Sequence, residues 1–264
     1  MPKRSDNDVQ DATLKRSRRA VRVRAPRSFR DFYLPRRHTV LLVTIVAFIA
    51  VWPLIGVTAA AKIMFAVALI VLLIAALYAI QVEELVGEPE KLLAERRRRN
   101  IIGWVLICTA IFERVLVIIW PNHELSLIAH VCYLLLFGFL TGEELRAVLR
   151  QRVVTAETIS MSISAYLLMG ITWGLLYVVM YQRHPLAFNF PGSSPPPEDA
   201  VFPTLVYFSF TTLSTLGLGD ITPVLMQARY AAAAEAITGQ FYLAILVARL
   251  VGLYMSNPKE AAKA

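Results

Sequence analysis

Residues 201–223 read VFPTLVYFSFTTLSTLGLGDITP, and this stretch determines the fold. Its first half, residues 204–214, is apolar, aromatic and hydroxylic, but it is too short to cross a bilayer, which takes about 20 helical residues. Gly217 and Gly219 follow, and glycine adopts positive φ without steric penalty. The pattern predicts a re-entrant helix that returns as extended backbone, which membranes tolerate only inside protein or beside water.

Long apolar runs on both sides of this stretch predict an all-α membrane protein. The chain is 57 % hydrophobic and 17 % charged, whereas soluble domains carry about 25 % charged residues. A turn is expected at Lys62, because a lysine at mid-bilayer costs about 3 kcal/mol, and Pro53 is expected to kink the first helix. Six transmembrane helices are expected, and the re-entrant segment lies between the last two. The expected helices are residues 39–60, 63–81, 101–120, 125–141, 159–181 and 228–254.

The remaining segments complete the expected domain organisation. Residues 143–157 have the charge spacing of a helix that lies at the membrane interface, and the proline-rich residues 182–200 are expected to form a loop. The sequence therefore predicts four parts, which are a basic cytoplasmic tail (1–38), a four-helix transmembrane domain with an interfacial linker (39–157), a pore domain (158–255) and a short cytoplasmic tail (256–264).

The basic residues fix the expected orientation. Most of the 27 Lys and Arg residues fall on the side of the N-terminus when the six helices are threaded through the bilayer, as the positive-inside rule requires. Both termini are therefore expected in the cytoplasm of a multi-pass protein of the cell membrane. The basic excess would face anionic inner-leaflet lipid rather than nucleic acid. A solvated tail that sets topology and a tail that docks on lipid remain alternatives.

Residues 215–220, TLGLGD, resemble the selectivity filter of tetrameric potassium channels, usually written TVGYGD. The resemblance extends over the fifth and sixth spans, and the GLG filter is similar to the second pore loop of some two-pore-domain potassium channels. It implies a homotetramer, because one chain offers one copy of the motif. It also implies K⁺ sites formed by the carbonyl groups of Thr215, Leu216, Gly217 and Leu218 and by the Thr215 hydroxyl, with no further cofactor.

The same resemblance assigns supporting roles around the filter. Asp220 is expected at the outer mouth, where Glu198 and Asp199 add negative potential. Tyr207 matches a tryptophan that often binds the filter aspartate, and a hydrogen bond from its hydroxyl to Asp220 is therefore expected. Phe208 matches a second tryptophan whose usual partner, the filter tyrosine, is Leu218 here, so the packing behind the filter is expected to be apolar.

Two residues of the sixth span invite functional interpretations. Gly239 lies where related channels place a hinge in the inner helix, and close helix packing is the alternative. Glu235 is an intramembrane carboxyl group, which is costly and often functional. Its expected role is a hydrogen bond to pore-helix hydroxyls such as Thr211 or Thr212, and proton sensing is the alternative.

The first four spans lack the signature of a voltage sensor. Such a sensor needs Arg or Lys at every third position of the fourth span, because each charge moved across the field contributes about 2.3 kcal/mol per 100 mV, and residues 125–141 carry none. Strong voltage dependence is therefore not expected. Glu113 and Arg114 in the third span must find partners on other helices, with His130 a candidate for Glu113. A structural ion pair and a gating role are both compatible with them.

Three functions remain open on the sequence. The first is a potassium-selective channel, and the second is a weakly selective cation channel in which Leu218 relaxes the discrimination against Na⁺. The third, from another class, is a transporter or a non-conducting structural subunit. A transporter usually shows repeated halves, and no second TLGLGD-like segment is present. An enzyme is not expected, because no nucleophile–base pair is found on any loop.

Overall fold

The computed structural model describes residues 36–55, scattered helical positions within 67–76 and 101–112, and residues 123–193 and 195–255. Several expectations lie outside these residues. They concern the tail 1–35, the turn at Lys62, the charged loop 83–100, the pair Glu113 and Arg114, the side chains of Pro53 and Asp199, and the tail 256–264.

The described part of the chain is mainly helical. Its elements are α1 (Arg37–Ile55), α2 (His123–Arg150), α3 (Ala156–Arg183), β1 (Phe188–Asn189), α4 (Val201–Leu213), β2 (Thr222–Pro223) and α5 (Met226–Met255). Within the described residues, three stretches are long and apolar enough to cross a membrane, namely Glu124–Arg150 of α2, Ala156–Arg183 of α3 and Met226–Leu253 of α5. They correspond to the expected fourth, fifth and sixth spans. The total of six stays a prediction, because the second and third spans are described only at scattered positions.

Helix α2 differs from the expectation at its inner end. Residues 143–150 do not form a separate interfacial helix but continue α2 to Arg150. The two glutamates at the start of this stretch are buried and paired, with Glu143 2.6 Å from Arg146 Nη1 and Glu144 Oε1 3.0 Å from His38 Nδ1. Each of the two side chains therefore has a polar partner within the protein, and the helix continues past Glu143 instead of ending there.

The N-terminus of α1 is bound by side chains of other helices. The backbone N–H of His38 donates to Glu157 Oε2 at 3.1 Å, and the Thr39 hydroxyl donates to Glu157 Oε1 at 2.6 Å. The first N–H groups of a helix lack partners within that helix. Glu157, in the first turn of α3, therefore supplies the acceptor that α1 needs and fixes the two helix starts side by side.

Helix α3 is the central helix of the described region. It begins at a capping box in which the Thr158 N–H donates to the Thr155 hydroxyl at 3.2 Å, and the Thr155 N–H donates to the Thr158 hydroxyl at 3.3 Å. Such a box satisfies two otherwise unpaired donors. A continuous apolar core joins α3 to α1 and α2 through buried residues that include Ile45, Phe137 and Ile171.

The loop before α4 contains a strand that the sequence does not indicate. Phe188 pairs with Pro223 and Asn189 with Thr222 in an antiparallel two-residue ladder. The N–H of Val224 also donates to the Ala187 carbonyl at 2.8 Å. These bonds tie the chain before α4 to the chain after residues 215–220, so the unit formed by α4 and the following segment is closed where it begins and where it ends.

Candidate functional site

Helix α4 ends where the TLGLGD segment begins. The N–H of Ser214 donates to the Phe210 carbonyl at 3.1 Å and that of Thr215 to the Thr212 carbonyl at 2.9 Å. The N–H of Gly217 then returns to the Thr211 carbonyl at 3.0 Å. The chain after the helix is therefore folded back against the last helical turn, as a re-entrant segment requires.

The backbone of this segment alternates into the left-handed region. Gly217 has φ 55° and Gly219 has φ 79°, which confirms that the two glycines provide positive φ. Thr215 also has a positive φ of 58°, which the sequence does not predict. A β-branched residue in this region costs of the order of 1–3 kcal/mol. The contacts around Thr215 must therefore hold it in place.

The segment lies at the surface of the protomer. Residues 214–220 are all exposed, and the side chains of Leu216 and Leu218 are 63 % and 58 % exposed. Large apolar side chains on an ordered, strained loop seldom face water without a partner. The segment therefore presents a surface that is suited to burial against another surface.

Tyr207 and Asp220 meet as the sequence predicts. The Tyr207 hydroxyl donates to Asp220 Oδ2 at 2.9 Å, and the other carboxylate oxygen accepts the N–H of Ile221 at 3.0 Å. The hydrogen bond to Asp220 raises the pKa of the Tyr207 phenol above its ordinary value. The phenol therefore remains a donor at neutral pH, and the end of the segment is fixed to α4.

Phe208 faces the opposite side of α4, towards the outer loop and α3. It is buried, and its ring lies edge-on to Tyr177 at 5.1 Å and to Phe188 at 5.5 Å between centroids. The expected apolar environment of Phe208 is present. These aromatic partners come from α3 and β1, so the packing of α4 depends on both elements.

Glu235 bonds a hydroxyl of α4 as expected, but the residue is Ser209 and the two named candidates are wrong. The side chain is fully buried and bonds Ser209 of α4 and Tyr177 of α3, not Thr211 or Thr212. The Tyr177 hydroxyl donates to Glu235 Oε2 at 2.6 Å. The Thr211 hydroxyl instead donates to the Phe208 carbonyl of its own helix at 2.9 Å. Because Ser209 lies on the side of α4 that faces α3 and α5, its hydroxyl is the one within reach.

The contacts of Ser209 are compatible with a neutral Glu235 carboxyl group. The single hydroxyl proton of Ser209 serves two contacts with acceptors, since Ser209 Oγ lies 2.7 Å from the Gly170 carbonyl oxygen and also contacts Glu235 Oε1. If Ser209 donates to Gly170, the second contact needs a proton on Glu235. A neutral carboxyl group also avoids the cost of burying an unpaired charge. Through its contacts with Ser209 and Tyr177, Glu235 joins α5 to α4 and α3.

Two glycines of α3 bring α3 and α4 close together, and sequence reasoning missed them. A Cβ atom at Gly170 would overlap the Phe210 ring, and one at Gly174 would lie 2.7 Å from Val206 Cγ2 and 2.9 Å from Val206 Cα. Small residues four apart allow membrane helices to approach closely. The Gly-x-x-x-Gly spacing in an apolar run is the signal that could have predicted this contact.

Gly239 and Gln240 place α5 against the inner end of the segment. A Cβ atom at Gly239 would overlap the carbonyl oxygen of Leu213, so the close-packing interpretation of this glycine is supported, and a hinge there stays a prediction. The Gln240 amide nitrogen donates to the Thr215 hydroxyl at 3.1 Å. Gln240 is a second residue that the sequence did not single out.

The C-terminal end of α5 is joined to the C-terminal end of α2. The Arg249 guanidinium donates to the carbonyl oxygens of Val148 at 2.7 Å and Gln151 at 2.6 Å, and also to that of Leu149. The last carbonyl groups of a helix lack partners within it. Arg249 therefore caps α2 from another helix, and the sequence gives no direct signal for this contact.

Comparison with known proteins identifies a family for part of the chain. Residues 165–256 match a family model described as "Ion channel". No curated protein and no solved structure matches the chain. The matched range begins within α3 and includes α4, the TLGLGD segment and α5, so it covers the elements that build the candidate site.

Proposed function

We propose, from the match of residues 165–256 to the ion channel family model, that the protein is a homotetrameric, potassium-selective channel. Rings of protein oxygens replace the water around a dehydrated K⁺. These oxygens are the carbonyl oxygens of Thr215, Leu216, Gly217 and Leu218 and the Thr215 hydroxyl. The positive φ angles of Gly217 and Gly219 support this, because alternating backbone conformations let successive carbonyl groups point to one side.

The exposure of the TLGLGD segment and α5 supports a tetramer. Only 11 % of the α5 span is buried within the protomer, against 56 % of the α3 span. Apolar side chains one turn apart on α5 are exposed, including Ile237, Phe241 and Ile245 at 55 %, 64 % and 60 %. In a symmetric ring, α5 and the filter of each protomer are covered by the neighbouring protomers. Four copies of α5 then line the inner pore.

The orientation of α4 suits a cation. Its C-terminal end, at Leu213, lies two residues before Thr215, and a helix C-terminus carries partial negative charge. In the proposed channel this end faces the inner side of the filter. At the outer side, Asp220 adds negative charge that raises the local cation concentration. Glu198 and Asp199 of the outer loop contribute in the same way.

The channel is proposed to open without strong voltage dependence. Helix α2 carries no Arg or Lys before Arg146, so no row of charges lies within the membrane field at this position. Gating then occurs by movement of α5 or at the filter. The protein lies in the cell membrane with both termini in the cytoplasm, and its basic tail faces anionic lipid.

The observation that carries the proposal is the return of the chain after α4 with glycines at two alternating positive-φ positions. Its test is ion flux into liposomes that contain the purified protein. We expect K⁺-driven flux without Na⁺ flux, and loss of flux in Gly217→Ala, because alanine is strained at φ 55°. Gly192→Ala is the matched control, since Gly192 has φ 70° and, like Gly217, open space where a Cβ atom would stand, but lies outside the filter.

The possible results separate the three functions. Equal K⁺ and Na⁺ flux would favour the weakly selective cation channel, and Leu218 would be the residue to substitute next. Absence of flux under any gradient would favour a transporter or a non-conducting structural subunit. Native mass spectrometry of the same preparation tests the assembly, and a protein that is monomeric in lipid would overturn the proposal.

A further inference from the structure

The closest approach of α5 to the filter occurs at Gly239 and Gln240. The absence of a side chain at Gly239 lets the helix backbone lie directly against the Leu213 carbonyl. The next residue, Gln240, is thereby brought to the first residue of the filter, with 3.1 Å between its amide nitrogen and the Thr215 hydroxyl oxygen. The two residues act together, one by being small and the other by donating a hydrogen bond.

Proton counting gives the direction of this hydrogen bond. The Thr215 hydroxyl donates its one proton to the Ser214 carbonyl at 2.7 Å. The hydroxyl oxygen must therefore accept from Gln240, which assigns the amide NH₂ group to the Thr215 side. One lone pair of the hydroxyl oxygen then remains for another partner. The contact fixes both the rotation of the hydroxyl and the direction of that lone pair.

Gln240 also compensates the backbone conformation of Thr215. A threonine at φ 58° is strained, and a residue in this state persists only where surrounding contacts hold it. The contacts present at Thr215 are the turn from its N–H to the Thr212 carbonyl at 2.9 Å, the hydroxyl bond to Ser214 and the bond from Gln240. Of these three, the last alone comes from outside the α4–filter turn.

We infer that Gln240 is a positioning residue for the innermost cation site of the filter. By holding the Thr215 hydroxyl in one orientation, it pre-organises four hydroxyl oxygens in the tetramer for a dehydrated cation of the size of K⁺. Pre-organised ligands bind more tightly because less conformational freedom is lost on binding. This inference rests on the proposed function and adds a residue of α5 to the filter.

The test is a double-mutant cycle on cation binding, which needs no open pore. The affinities of the purified tetramer in lipid nanodiscs for K⁺ and for Ba²⁺ are measured by calorimetric titration. Ba²⁺ is a divalent cation of nearly the same radius as K⁺. Gln240→Met keeps the side-chain length and removes the donor, and Gln240→Leu is the second variant should the first fail to assemble. Thr215→Val removes the hydroxyl and keeps the side-chain shape.

We expect Gln240→Met to weaken Ba²⁺ binding about tenfold when Thr215 is present, through the loss of pre-organisation. In the Thr215→Val background the same substitution should change the affinity by less than about twofold, because the shared hydrogen bond is already absent. Thr238→Val is the matched control. Its hydroxyl donates to the Ala234 carbonyl of its own helix at 2.7 Å, and its loss should leave the affinity unchanged.

The outcomes separate this inference from the proposed function. A wild-type protein that binds neither K⁺ nor Ba²⁺ would overturn the proposed function, and this inference with it. The inference alone would be overturned if the wild-type protein binds both cations but Gln240→Met has no effect, or has the same effect with and without the Thr215 hydroxyl. Gln240 would then be a packing residue of α5.

Discussion

The Tyr207 hydroxyl donates to Asp220 Oδ2 at 2.9 Å and so connects the middle of α4 to the last residue of the TLGLGD segment. Because the intervening residues 208–219 contain the end of the helix and the rest of the TLGLGD segment, this bond closes a loop around them. The inner end of the loop is held separately, by Gln240 on Thr215. The filter-like segment is thus attached at both ends, by residues of different helices.

We predict that Tyr207→Phe loosens the outer end of the filter without changing the fold. The substitution keeps the ring and removes the donor to Asp220, so the carboxylate loses one of its two hydrogen bonds. The expected result is severalfold faster decay of K⁺ current during sustained conduction in planar bilayers. Tyr230→Phe, a conservative change of an exposed tyrosine on α5, is the control. Unchanged decay in Tyr207→Phe would show that this bond has no role in filter stability.

We predict that Glu235→Gln is tolerated and Glu235→Leu is not. Glutamine can donate to Ser209 and accept from Tyr177, as a neutral carboxyl group would, whereas leucine leaves the buried Tyr177 hydroxyl without its partner and leaves Ser209 only its contact with the Gly170 carbonyl. Each orphaned buried group costs about 1–3 kcal/mol. Glu235→Leu should therefore lower the melting temperature of the purified protein clearly more than Glu235→Gln.

The partner residue supplies the control for Glu235. Tyr177→Phe removes the orphaned hydroxyl group, so combining it with Glu235→Leu should recover part of the lost stability. Equal damage by Glu235→Gln and Glu235→Leu would instead show that an ionised carboxylate is required there.

We predict that Gly174→Ala destabilises the contact between α3 and α4. The new methyl group would meet Val206 at its Cα atom, which cannot move without shifting the pore helix, and overpacking of this kind costs about 1–3 kcal/mol. The measurement is chemical unfolding in mixed micelles. Gly142→Ala in α2 is the matched control, because no described atom lies within 4 Å of its added Cβ. That control should be neutral or stabilising by up to about 1 kcal/mol, and a similar loss in both variants would contradict the prediction.

We predict that Arg249→Lys uncouples the end of α2 from α5. A lysine ammonium group lacks the planar fork with which the guanidinium reaches three carbonyl groups. Amide hydrogen exchange in residues 150–155 should therefore become faster, with little change in α4. Arg229→Lys serves as the control at the other end of α5. Protection that is identical in both variants would show that α2 ends stably without the cap.

The sequence predicted those parts of the site that follow from local pattern. The glycine spacing gave the positive φ angles at Gly217 and Gly219, and the positions of Tyr207 and Asp220 along the chain allowed their bond to be predicted. Helices α2, α3 and α5 were expected from continuous apolar runs of sufficient length, which is a property of each segment alone.

The parts that could not be predicted depend on how helices are rotated against each other. Whether Glu235 meets Thr211, Thr212 or Ser209 depends on the rotation of α4 about its axis, which hydropathy does not specify. The extension of α2 past Glu143 depends on a contact with His38, which is more than a hundred residues away in the sequence. The two-residue strands Phe188–Asn189 and Thr222–Pro223 are too short to give a periodic signal. Gly170 and Gly174 are different, because their spacing was readable and was overlooked.

The attachment of Arg249 to α2 uses only main-chain oxygens of residues 148, 149 and 151. Any amino acid presents the same carbonyl group, so this junction places no demand on the chemical identity of the side chains it touches. Positions 149 and 151 are therefore open to divergence or to the introduction of a fluorescent label, and a reporter placed there would sense movement of the last span while leaving the anchoring bonds intact.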